Sequence, residues 1–302
     1  MNSDAGLVRR LLSEQFPQWA DLSIEPVASA GTDNALYRLG EDMVVRLPRV
    51  DWALGQVEKE QQWLPRLAPL LPLAVPAPLA MGTPSERFGW HWSVYRWLDG
   101  ESATVEPIED LDRAASELGG FVAALQRIDP AGGPPPGAHN VGRGEPLAIR
   151  DEATRAAISA IDRMIDIDLD IVAVTSAWEA ALGAPALDGP GMWIHGDLHI
   201  GNLLTADGRL SAVIDFGGLG VGDPACDLLI AWTLLCPDSR DIFRAALAVD
   251  DATWARGQGW ALTHRSCRPA LLPALQSDTG GHRPARNRRG SRRTRAPGVM
   301  SG

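Results

Sequence analysis

Residues 193–202 read Trp193-Ile194-His195-Gly196-Asp197-Leu198-His199-Ile200-Gly201-Asn202. Leu203-Leu204 follow, then a turn at Asp207-Gly208, then Ala212-Val213-Ile214 running into Asp215-Phe216-Gly217. Two short apolar runs joined by an Asp-Gly turn read as a β-hairpin. The polar side chains Asp197, Asn202 and Asp215 stand together at its open end.

Phosphoryl transfer from a nucleotide needs oxygen ligands for Mg2+, one or two of them carboxylates, and a base that orients the attacking hydroxyl. Asp197 and Asn202 are five positions apart, the D-x-x-x-x-N spacing of a kinase catalytic loop, and Asp215-Phe216-Gly217 matches the metal-binding D-F-G. His195 precedes Asp197 by two positions and reads as a brace for the loop. His199 reads as polar packing. A zinc site from His195, Asp197 and His199 lacks a fourth ligand at sensible spacing.

Upstream, residues 4–16 carry Leu7, Val8, Leu11, Leu12 and Phe16 at helical spacing, closed by Pro17. Residues 23–28, 36–39 and 43–47 are short strand candidates separated by turns. The loop Ser29-Ala30-Gly31-Thr32-Asp33-Asn34 lies between two of them. Ser29, Gly31, Thr32 and Asn34 are its candidates for covering phosphates through backbone N–H groups. Kinases hold the phosphates with a third-strand Lys paired to a helix Glu. The matching strand here, residues 43–47, offers Arg46. The helix predicted over residues 54–67 offers Glu60, with Glu58 as the alternative. Arginine binds phosphate bidentately and stays charged, although it is not equivalent to lysine.

Pro69, Pro72, Pro76 and Pro78 mark an extended crossing, and residues 90–98 (WHWSVYRWL) alternate as an aromatic strand. Residues 93–98 are expected to run between the lobes, where a kinase-like plan has the backbone meet adenine; Tyr95 and Trp97 lie on this stretch and equally suit the core. Helices are predicted over 108–129, 150–182, 224–236 and 238–248. The domains divide as 1–99, a nucleotide-binding lobe; 100–263, a catalytic and acceptor lobe; and a tail, 264–302.

His-Gly-Asp-Leu-His-x-Gly-Asn, Ile-Asp-Phe-Gly and Gly222-Asp223-Pro224-Ala225-Cys226-Asp227-Leu228 together resemble the aminoglycoside phosphotransferase family, small-molecule relatives of protein kinases. The resemblance spans about residues 25–260. It implies an α+β, bilobal protein-kinase-like fold, with a small antiparallel β-sheet N-lobe and a mainly helical C-lobe. It implies ATP and Mg2+ as cofactors, Asp197 as catalytic base, and Asn202 and Asp215 as metal ligands. A small-molecule hydroxyl is the implied acceptor, on an aminoglycoside or another amine or sugar. Asp223 and Asp227 read as scaffold, since Asp223 before Pro224 suits a helix N-cap. The alternative is a nucleotide-binding, catalytically impaired relative with an incomplete acceptor site.

The 302 residues are 45% hydrophobic and 22% charged, an ordinary globular balance that excludes collagen-like and wholly disordered chains. No run of 18 apolar residues suggests a membrane span. The N-terminus lacks the apolar core of a signal peptide. Cys226, Cys236 and Cys267 fit no metal spacing. A cytoplasmic protein is expected. Residues 1–263 hold 19 basic and 37 acidic side chains, net −18, which argues against nucleic-acid binding and leans toward a cationic ligand.

The tail is different. Residues 264–302 hold nine Arg and one acid and are rich in Pro and Gly. A nucleic-acid arm, a disordered end and a shifted reading frame are its three readings. A permissible codon choice for residues 269–279, read one base later, spells LPYYRRYNPT. That product matches the LPYYRxxNP-like ending the family resemblance implies.

Overall fold

The computed structural model describes residues 4–27, 33–53, 55–162 and 170–264. The tail from 265 onward, with Cys267, lies outside the described residues, as does most of the 29–34 loop. The first helix, α1 (Ala5–Gln15), starts where the Asp4 carboxylate accepts the Leu7 N–H at 2.7 Å, an N-cap that satisfies a donor without a helical partner.

Five strands then form one antiparallel sheet: β1 (Ile24–Pro26), β2 (Asn34–Leu39), β3 (Met43–Pro48), β4 (Pro78–Gly82) and β5 (Trp92–Arg96), in the order β1-β2-β3-β5-β4. Along β3, Met43, Val45 and Leu47 are buried in an apolar cluster with α1, while Val44 and Arg46 face the other side. The two-residue period of a strand thus puts Arg46 on the face covered by α2 (Gln56–Leu67). β4 falls in the stretch read above as an extended crossing. It pairs on the sheet edge, where the Pro78 that begins it loses no needed hydrogen bond.

From β6 (Glu101–Ser102) onward the chain is mainly helical: α3 (Leu111–Arg127), α4 (Asp151–Asp162), α5 (Ile171–Gly183), α6 (Ile230–Thr233), α7 (Pro237–Leu247) and α8 (Asp251–Thr263). β7 (Met192–Ile194) pairs with β10 (Gly220–Gly222), and β8 (Leu203–Ala206) with β9 (Arg209–Val213). The predicted hairpin is therefore β8–β9. The stretch read as one helix over 224–236 is a 3₁₀ turn at Pro224–Leu229 followed by the short α6. Asp223 caps that turn, accepting the Ala225 N–H at 3.1 Å.

Helix α8 was not legible in the sequence, because Gly257 and Gly259 weaken the helical pattern. Packing requires them: a Cβ on Gly257 would sit 2.6 Å from Leu228 Cβ, and one on Gly259 would sit 2.4 Å from Leu147. The helix approaches its neighbours more closely than alanine allows. Among the described residues no helix is long and apolar enough to cross a membrane.

Candidate active site

Two loops meet backbone to backbone at the hairpin mouth. Gly196 has φ +84°, a left-handed conformation suited to glycine, and a Cβ there would lie 2.1 Å from the Gly218 carbonyl oxygen. The His-Gly-Asp and Asp-Phe-Gly segments are thereby pressed together. The buried Asp227 carboxylate accepts the N–H of His195 at 2.7 Å and of Gly196 at 2.8 Å, anchoring the first loop. Burial raises the Asp227 pKa against these donors and the nearby His195 and Arg143. His195 is fully buried; its Nδ1 accepts the Asp197 N–H at 3.2 Å, so Nε2 carries the proton and donates to the Ile214 carbonyl at 3.0 Å. It braces the loop, as its spacing suggested.

Asn202 lies at the end of the 3₁₀ turn Ile200–Asn202, and its carbonyl accepts the Ile214 N–H at 2.9 Å. Its amide Nδ2 donates to the Asp197 carbonyl at 2.9 Å and to Asp197 Oδ2 at 3.3 Å. Asp215 follows Ile214 directly. Its φ of 62° and ψ of 71° put a non-glycine residue in the left-handed region. Such strain is tolerated where the surrounding structure requires it, often at functional sites. The three polar residues separated in sequence are joined through the backbone of the hairpin.

On the sheet side, Arg46 Nη1 lies 2.8 and 2.9 Å from the two Glu60 oxygens, and Nη2 lies 3.2 Å from Asp215 Oδ1 and 3.3 Å from Gln56 Oε1. Glu60 is 1% exposed, so its charge depends on this pairing. Burial disfavours the Arg46 charge, but Glu60, Asp215 and Tyr95 outweigh it and raise its pKa. Glu58, the alternative partner, instead pairs with His91 at 2.5 Å. The Tyr95 hydroxyl donates to Glu60 from inside the core, and burial pushes its pKa well up. Trp97 donates its backbone N–H to Asp42 at 2.7 Å and lies beneath the Arg38 guanidinium, 3.9 Å from the ring centre. Asn34 begins β2 opposite Pro48, at the edge of the proposed phosphate loop. Ser29, Gly31 and Thr32 lie outside the described residues.

Four contributors were missed in the sequence. Gln56 joins Arg46. Lys59, the only lysine in the chain, donates from Nζ to the Gly217 carbonyl at 2.6 Å and lies 3.1 Å from His139 Nδ1. Burial lowers its pKa to about 8, with Arg46 adding to the effect and Glu60 and Asp215 opposing it. Arg143 Nη2 lies 3.3 Å from Asp197 Oδ1. His264 packs its ring 5.0 Å from His199. None of these stands at a motif spacing from Asp197; only the folded chain brings them there.

His199 does more than pack. Its Nδ1 accepts the Gly201 N–H at 3.0 Å, so Nε2 carries the proton and faces Asp197 Oδ2 at 3.4 Å. Donor atoms of Asp197, His199 and His264 lie within 4.8 Å of one another. A metal on His199 Nε2 would require the tautomer that the Gly201 N–H opposes. The cluster therefore reads as a hydrogen-bonded surround of Asp197. Burial opposes the Asp197 charge, but His199, Arg143 and His195 hold its pKa well below the usual carboxylate range.

A five-stranded antiparallel sheet, a helix supplying a buried Glu to a strand Arg, and a helical lobe carrying an Asp–Asn loop and an Asp-Phe-Gly turn define a protein-kinase-like phosphotransferase fold. The phosphotransferase enzyme family model matches residues 23–260, and the chain belongs to that family. No curated protein matches the sequence. Among solved structures, the GDP complex of wild-type aminoglycoside 2'-phosphotransferase-IIIa is similar at 20% identity and a TM-score of 0.66, over 92% of this chain and 100% of that one. The GDP and kanamycin complex of APH(2")-IIIa is similar at 20% identity and 0.64, over 90% and 98%. The macrolide 2'-phosphotransferase MphH from Brachybacterium faecium is similar at 24% and 0.57, over 91% and 99%.

Proposed function

We propose that this protein is an ATP- and Mg2+-dependent phosphotransferase acting in the cytoplasm on a hydroxyl of a small molecule, such as an amine or a sugar. The observation that carries the reading is the meeting of Asp197, Asn202 and Asp215 at one hairpin mouth, with Arg46 linking Asp215 to Glu60. Solved structures of similar fold include complexes named for GDP, ADP and ATP, which supports a nucleotide as donor.

The donor set suits Mg2+. Asn202 commits its Nδ2 to Asp197 and so turns its Oδ1 to other partners, while Asp215 shares Oδ1 with Arg46 and the Gly217 N–H. Both residues offer oxygen, the ligand this hard cation prefers. Mg2+ held there would supply charge neutralisation for the triphosphate.

The chain's own groups do the positioning. Glu60 and Tyr95 fix Arg46, whose Nη2 makes only long bonds of 3.2 and 3.3 Å and is the group free to reorient toward phosphate. Asp197 remains ionised at neutral pH and is 36% exposed, so an acceptor hydroxyl can reach it. Held in its charged form by its neighbours, it can accept the hydroxyl's hydrogen bond and orient it, and positioning suits a loose phosphoryl-transfer transition state.

Replacing Asp197 with Ala should lower turnover by about 10²-fold or more, the scale of losing the group that positions the attacking hydroxyl. Affinity for Mg-nucleotide should change little. Both quantities are measured with ATP and GTP against hydroxylated amines and sugars. Near-normal turnover by the variant would remove Asp197 from this role.

A further inference from the structure

Any acceptor must bring its hydroxyl to Asp197, so the groups around that carboxylate meet the acceptor first. Arg143 and His199 contact it directly, from Nη2 at 3.3 Å and from Nε2 at 3.4 Å, and of the two only the arginine is permanently charged. Arg143 contacts Oδ1 at 3.3 Å, and its guanidinium lies 5.7 Å from the Trp260 ring centre; Arg150 lies 5.4 Å from the same ring. The base thus faces a fixed cation, Arg143, although residues 1–263 as a whole carry a net charge of −18.

Arg143 is also underused. A guanidinium has five N–H donors. Among the described residues the Arg143 side chain makes one hydrogen bond, to Asp197, although it is only 19% exposed. Among the described residues none of its nitrogens is both sealed from solvent and without a partner. Its remaining donors therefore keep some contact with solvent, on a guanidinium that touches the base. Arg256 is a useful contrast, since it forks onto both Asp223 oxygens and also bonds Pro185 and Thr253. Arg256 is held as scaffold; Arg143 is left with donors to offer.

We propose that the acceptor carries an anionic group, a carboxylate or phosphate, near its reacting hydroxyl, and that Arg143 receives it. Planar bidentate recognition of such groups is what an arginine fork does best. A polycation would place ammonium groups against the Arg143 guanidinium, which stands 3.3 Å from the base. This reverses the lean toward cationic ligands drawn from overall charge, because local charge at the base governs binding there. The proposal rests on the phosphotransferase reading.

The test uses the full chain with Mg-ATP and matched pairs: D-glycerate against glycerol, glucose 6-phosphate against glucose, with kanamycin as the polycation. Transfer of labelled phosphate is measured, and so is the melting shift each compound adds to the Mg-ADP complex. The anionic member of at least one pair is expected to exceed its neutral partner by about tenfold in kcat/KM or apparent affinity, the scale of one charge-assisted contact. The carboxylate and phosphate pairs separate the two sources of the anion. Arg143→Gln should erase that preference mainly through KM, and Arg143→Lys should restore part of it. Equal or weaker response to the anionic members in both readouts, or a preference for kanamycin, overturns the proposal. Absence of any Mg-nucleotide binding would instead defeat the phosphotransferase reading.

Discussion

At the scale of single residues, the site couples charge to burial. His264 is 7% exposed, and burial, with His199 and Arg143 nearby, lowers its pKa to about 4 against the pull of Asp197. A histidine whose folded pKa is depressed binds fewer protons folded than unfolded between about 4 and its ordinary value near 6.5. Its stabilising contribution is complete above that ordinary value and is lost as the pH falls through the window. Linkage puts the loss at about 2 kcal/mol by pH 5. Urea unfolding at pH 7.5 and pH 5, for the protein and for His264→Gln, isolates this share. If the variant shows the same acid sensitivity, His264 is not the group responsible. The contrast in legibility is physical. Asp197, Asn202 and Asp215 sit on local loop geometry that needs fixed spacing, so they were readable. Arg143 and His264 reach Asp197 through tertiary packing, which leaves no periodic trace in the sequence.

At the scale of elements, β3 and α2 were readable because strand alternation and helical spacing directly set which side chains face the core. Periodicity also favours Glu60 over Glu58, since Glu60 shares the stripe of Val57, Trp63, Leu64 and Leu67. A carboxylate in an apolar stripe marks a buried partner. Helix α8 was hidden for the opposite reason, its glycines serving close approach at the expense of helical propensity. That helix is tied to the 3₁₀ turn by Arg256, whose Nε and Nη2 lie 2.7 and 3.1 Å from the Asp223 oxygens with both side chains under a tenth exposed. Removing one partner strands a buried charge, and Arg256→Ala should cost roughly 3–5 kcal/mol. Asp223→Ala added to it should return part of that loss. A double-mutant cycle by urea unfolding measures the coupling, and a single-variant cost below about 1 kcal/mol would show that the pair does not hold α8.

At the scale of the molecule, two apolar clusters divide the work. One fills the sheet against α1; the other runs through the helical part and takes in Trp63, Leu64 and Leu67 of α2. Helix α2 therefore packs with the helical part as well as with the sheet. Trp63 lies 4.7 Å from Trp193, and Lys59 reaches the Gly217 carbonyl. A nucleotide held by Arg46 from the sheet and by Asn202 and Asp215 from the hairpin would join groups that both clusters support. Binding to the folded chain alone stabilises it by about 2.7 kcal/mol at a hundredfold excess over Kd. For a chain of this size that raises Tm by about 5 °C. Mg-ATP should give this shift in the full-length protein, and Asp197→Ala should keep it. Arg46→Ala and Asp215→Ala should each lose most of it. Differential scanning fluorimetry with and without Mg2+ makes the comparison. A full shift in both of those variants would mean that the nucleotide is held somewhere other than across this hairpin and sheet.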